Sequence, residues 1–126
     1  MNPIFAAALA IQDFCRRRGW RFCFIGGIAV QRWGEPRLTE DADLTLLTGF
    51  GSEEPFVAAM LGAFKGRRPD AHEFALRYRV LLIESSSGVP VDVSLGAMPF
   101  EERAVGRSSA FAIGEGKSLL TCSAET

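Results

Sequence analysis

Apolar residues recur at Ile4, Ala7, Ala8, Ile11 and Cys15. That spacing lines one face of a helix and predicts a helix over residues 3–18. Asn2 is the expected cap, Pro3 suits the first turn, and Gly19 ends the segment. Residues 21–25 are an apolar run of strand length, followed by a Gly26-Gly27 turn. Residues 28–33 then read as a short helix stopped by Gly34-Glu35-Pro36, and residues 41–47 as a second strand. A helix is expected over residues 53–64, with Ser52 as cap and Glu53 and Glu54 in its first turn. Residues 66–70 make a basic turn. Residues 74–84 and 89–95 read as an antiparallel pair joined by Ser85-Ser86-Ser87-Gly88. Val89, Val91, Val93 and Leu95 share one face of the later strand, and Asp92 and Ser94 the other. Residues 99–105 suggest a short helix and residues 110–113 a short strand. Helices and strands interleave, so the expected class is α/β or α+β, a mixed sheet with helices packed on it.

The chain has 126 residues, which favours a single domain over residues 1–126 with no repeat or linker. Hydrophobic residues make up 48% and charged residues 23%, a balance that suits a globular chain and not a disordered one. A net charge of −1 supplies no bulk attraction to nucleic acid. Arg16, Arg17 and Arg18 suit the C-terminal end of the first helix, either as a solvated cluster or as a local RNA-contacting patch. Cys15, Cys23 and Cys122 lack metal-ligand spacing and read as reduced thiols of a cytoplasmic protein, with Cys23 packed in the core. The apolar run at residues 3–14 is too short to span a bilayer, and no membrane association is expected. The single His72 excludes a multi-histidine metal site within one chain and is expected to be exposed in a loop.

The chemistry concentrates in carboxylates. Asp41 and Asp43 sit one residue apart at the head of a strand, where alternation points both to the same face. Two like charges held so close make sense mainly around a cation. Asp92 is a third acid, placed mid-strand in Val89-Pro90-Val91-Asp92-Val93-Ser94. An acid in an apolar run is expensive unless paired, metal-bound or at a wet edge. If its strand lies beside that of Asp43, the three acids converge. An all-oxygen set of this kind suits Mg²⁺, which usually keeps substrate phosphate in its shell. Upstream, Gly26-Gly27 either offers bare N–H groups to an anion or simply makes a tight turn. Arg77 and Arg79 share a face of the expected 74–84 strand, either solvated or in contact with phosphate.

The ordered set Gly26-Gly27-Ile28-Ala29, Arg37-Leu38-Thr39-Glu40-Asp41-Ala42-Asp43 and Val91-Asp92-Val93 resembles the nucleotidyltransferase superfamily, the polymerase-β-like fold. Within it, the AbiEii-type and related minimal nucleotidyltransferases look closest, over residues 20–122. The resemblance implies Mg²⁺-dependent transfer (Mn²⁺ being the alternative ion) of a nucleotidyl group from a nucleoside triphosphate to a hydroxyl of an RNA, a protein or a small molecule. It implies that Gly26 and Gly27 hold the nucleotide phosphates. It assigns the metal ions and catalysis to Asp41, Asp43 and Asp92, with Asp92 helping to deprotonate the acceptor. Arg37 and Thr39 would contact phosphate or fix the loop.

In relatives of this kind a segment like Leu119-Leu120-Thr121-Cys122 leads into further helices that often carry a nucleotide-contacting lysine. The sequence stops at Thr126, where such a helix would begin, and Lys117 is a poor match for that lysine. The expectations are a bare catalytic core, a remnant without activity, or a chain completed by a homodimer or by a helical partner protein. The alternative to an enzyme is a non-catalytic nucleotide-binding or partner subunit, for instance of a toxin–antitoxin system.

Overall fold

The computed structural model describes residues 1–33 and 40–123. The first helix, α1 (Pro3–Arg17), opens as its sequence requires: the Asn2 side chain accepts from the Ile4 N–H at 2.7 Å. Its apolar face lies against a seven-stranded sheet. The strands are β1 (Phe22–Ile25), β2 (Ala42–Leu47), β3 (Lys65–Gly66), β4 (Val80–Glu84), β5 (Pro90–Gly96), β6 (Ser109–Gly114) and β7 (Lys117–Thr121). Their spatial order is β3-β4-β5-β2-β1-β7-β6. β2 runs parallel to β5 and antiparallel to β1, so the sheet is mixed. The remaining helices are α2 (Gly26–Trp33), α3 (Glu53–Ala63), α4 (Ala71–Tyr78) and α5 (Pro99–Gly106).

One face of the sheet carries the main core. Ala42, Leu44 and Leu46 of β2 and Val91, Val93 and Leu95 of β5 are buried there with Ile11, Cys15, Val57 and Met60 from the helices. Among the described residues the opposite face is covered over part of its length, where Ala104 and Val105 of α5 pack on Cys23, Ile25, Leu47 and Cys122. Asp43 and Asp92 emerge from that second face because the strand alternation that buries their neighbours turns them outward.

Two expectations change. Residues 74–78 do not extend the β4 strand; they finish helix α4. Phe74, Leu76 and Tyr78 alternate as in a strand, yet Leu76 and Tyr78 are exposed, while the small residues Ala71 and Ala75, four apart, are buried. Small side chains let the helix approach closely, and that packing outweighs the local alternation. Arg79 caps the helix at φ 61 and turns the chain into β4. Arg77 and Arg79 therefore share no strand face. Arg77 lies beside the Tyr78 ring, and Arg79 is tied to the Glu53 carboxylate and donates to the Leu95 carbonyl at 2.6 Å. His72, expected in a loop, lies on α4 with Nε2 2.7 Å from Glu54 Oε2.

The second change is β7, a strand that the apolar run Leu119-Leu120 alone did not announce. It inserts between β1 and β6, with Leu119 and Thr121 fully buried. A Glu115-Gly116 turn with both residues at positive φ closes the β6–β7 hairpin. Gln12 anchors it from α1: its Nε2 donates to the Ser118 carbonyl and its Oε1 accepts from the Leu120 N–H, both at 2.9 Å. Among the described residues, no helix is long and apolar enough to cross a membrane.

Candidate metal and phosphate site

The pairing of β2 with β5 places Asp43 directly opposite Asp92. On its other side Asp43 faces Ile25, the last residue of β1. Asp41 precedes the first residue of β2 and so lies outside the strand that was expected to hold it. One carboxylate oxygen from each of Asp41, Asp43 and Asp92 still lies within 4.8 Å of the others. Adjacent strands, not one strand, thus provide the convergence.

The crowding is electrostatically unfavourable. Asp43 is pushed up to about 6 from an ordinary 3.8. Burial is the largest cause, the charges of Asp41 and Asp92 add to it, and a hydrogen bond with Asp92 contributes. Arg67 opposes the rise and is ion-paired with Asp92.

Arg67 is a residue that sequence reasoning passed over as part of a basic turn. The short β3 strand pairs with β4, and the Arg67 N–H donates to the Leu82 carbonyl at 2.9 Å. Leu82 in turn faces Asp92 on β5. The long arginine side chain crosses one strand to reach the acid, and no signal local to residues 66–70 reveals that neighbour.

Gly26 abuts the same cluster. It opens α2 at φ +64, a left-handed conformation that side chains resist. A Cβ built there would lie 2.5 Å from Asp43 Oδ2. Glycine at this position therefore satisfies both the chain turn and the room around the acid. Gly27 follows in the first turn of α2, which holds no acidic residue. The exposed N–H groups of such a turn favour an anion. Arg37 and Thr39 lie outside the described residues.

The residues fit a hard divalent cation. The donors are all carboxylate oxygens, they converge from three positions, their mutual repulsion raises a carboxyl, and Gly26 keeps a side chain out of the space.

No family model matches the chain, and no curated protein matches it. Among solved structures it resembles a crystal structure described as an antigenic nucleotidyltransferase-like protein from Paracoccidioides brasiliensis. The TM-score is 0.58 at 15% identity, over 94% of this chain and 59% of that one. The fold is therefore nucleotidyltransferase-like, a mixed sheet, and here it carries an acidic cluster at the head of β2 and on β5. The chain spans little more than half the length of that neighbour.

Proposed function

We propose that this protein is a nucleotidyltransferase that moves a nucleotidyl group from a nucleoside triphosphate to a hydroxyl acceptor. The observation that carries this reading is the Asp43–Asp92 register pair, joined by Asp41 and flanked by Gly26. In this reading Asp41, Asp43 and Asp92 hold Mg²⁺, or Mn²⁺ in its place. When bound, the cation neutralises phosphate charge and eases deprotonation of the acceptor hydroxyl.

The chain's own residues do the rest by position. Gly26 and Gly27 direct N–H groups and the positive end of α2 at the departing phosphates. The acceptor oxygen attacks the α-phosphorus, the bond to the pyrophosphate oxygen breaks, and pyrophosphate leaves with the electron pair. Asp92, facing the open side of the sheet, takes the acceptor proton. Arg37 and Thr39 steady the phosphate or the loop before Asp41. Placement among AbiEii-type enzymes, a cytoplasmic location and a toxin–antitoxin partner follow from the sequence resemblance alone and belong to the same proposal.

One observation favours a second reading, nucleotide binding without transfer: Arg67 already supplies a positive charge to Asp92. Transfer of label from α-labelled nucleoside triphosphates with Mg²⁺ decides between the two. Wild type is expected to transfer label, and Asp43→Asn and Asp92→Asn to lose that activity. Activity retained in both variants refutes the metal assignment. Tight nucleotide binding by wild type with no transfer selects the second reading.

A further inference from the structure

A bay of about 320 Å³ opens on the sheet face that carries Asp43 and Asp92, one same-face position further along their strands. Its floor is the register pair Thr45 and Ser94, each two residues beyond an acid on the same strand. That spacing puts the floor about 6.6 Å from the Asp43–Asp92 pair. Ile25 and Cys122 form one wall, and Phe100 and Ala104 of α5 the other. The Phe100 ring is 59% exposed although it borders the cavity.

The direction of the bay assigns its role. Gly26 follows Ile25 at the Ala42 end of β2, whereas the bay, floored by Thr45, lies on the Leu47 side of Asp43. In an in-line displacement the attacking and leaving oxygens lie on opposite sides of phosphorus. With the leaving phosphates at Gly26 and Gly27, the attacking hydroxyl comes from the bay.

Its chemistry narrows the acceptor. Among the described residues, no lysine or arginine lines it. A polynucleotide end draws its affinity largely from cationic contacts to phosphate, which the described lining does not supply. Among the described residues the charged lining is Glu101 alone, whose Oε1 is engaged with the Ala97 and Met98 N–H groups at 3.0 and 2.9 Å. Two hydroxyls beneath mostly apolar walls, with a phenylalanine ring at the rim, suit a small ring compound that carries a hydroxyl.

We infer that this bay is the acceptor pocket and that the acceptor is a small, ring-bearing alcohol and not an RNA end. The acceptor assignment rests on the nucleotidyltransferase reading; the ligand class rests on the bay itself. Amide NMR on the full chain tests both, with three probes: 2-phenylethanol, a short oligouridine, and Mg²⁺ with the four nucleoside triphosphates. The expected result is that 2-phenylethanol moves the Thr45, Ser94 and Ala104 amides, and that Phe100→Ala weakens this at least fivefold while keeping a folded spectrum. Bay amides that respond to oligouridine and not to 2-phenylethanol, or to neither, overturn the inference. If 2-phenylethanol fills the bay but triphosphates leave Gly26 and Gly27 unmoved, the nucleotidyltransferase reading fails, the acceptor assignment fails with it, and the ring-alcohol site stands.

Discussion

Gly26→Ala places a single methyl group against the acidic cluster, and its effect divides into two parts. The first is backbone strain, because Gly26 sits at φ +64. An L-residue in that region costs about 1–2 kcal/mol. The second is steric. The new Cβ would stand 2.5 Å from Asp43 Oδ2 and 3.2 Å from Asp43 Cβ and Cγ, where ordinary contact begins at 3.4 Å. Asp43 or the head of α2 must therefore move by about 0.9 Å (3.4 minus 2.5). Forcing a packed group aside in this way adds about 1–3 kcal/mol, so the total is about 2–5 kcal/mol.

Gly19→Ala separates the two parts. Gly19 has a similar φ of +69, but a Cβ there meets nothing within 4 Å. It should show the strain alone, about 1–2 kcal/mol. Urea unfolding of both variants at neutral pH, compared at a common m-value, gives the difference directly. Divalent-metal titration calorimetry provides the second readout: Gly26→Ala should weaken binding and Gly19→Ala should not. Equal destabilisation by the two substitutions, with metal affinity unchanged in both, refutes the close contact between Gly26 and Asp43.

The pH dependence of stability follows from Asp43. Its carboxyl, raised to about 6 when folded against an ordinary 3.8, holds its proton more tightly in the native state. The resulting stabilisation is full below about pH 4 and is lost as pH climbs through about 6. The full gap corresponds to about 3 kcal/mol, and solvent screening of a half-buried carboxyl reduces it to roughly 1–2 kcal/mol. Denaturation midpoints of the metal-free protein between pH 4 and 8 should fall accordingly, and Asp43→Asn should remove that part of the slope; an unchanged slope disproves the assignment. Gln12→Ala should destabilise by about 2–4 kcal/mol, because it strips both hydrogen bonds from Ser118 and Leu120. Hydrogen exchange at the Leu120 amide should accelerate more than at Leu44, and uniform acceleration contradicts a local anchor at β7.

Periodicity in the chain was enough to locate α1, β1, β5 and the outward position of Asp92, since each depends on side-chain spacing within one element. The same local reading misplaced residues 74–78, where small alanines rather than the larger apolar side chains face the core. It also passed over β7, whose strand state depends on β1 and Gln12, both distant in sequence, as well as on the adjoining β6. The acids were legible as residue types, and their meeting was expected on the condition that their strands lie side by side. Only the parallel pairing of β2 with β5 brings Asp92 opposite Asp43, some fifty residues earlier in the chain. Only the β3–β4 pairing delivers Arg67 to that cluster, and only the packing of α5 leaves a bay beside it. Side-chain periodicity is a property of a few neighbouring residues, whereas strand order and register are set by burial summed over the whole sheet. The sequence by itself therefore determined which acidic and glycine residues could form a site. The tertiary structure decided which groups meet, and where an open bay lies on their face of the sheet.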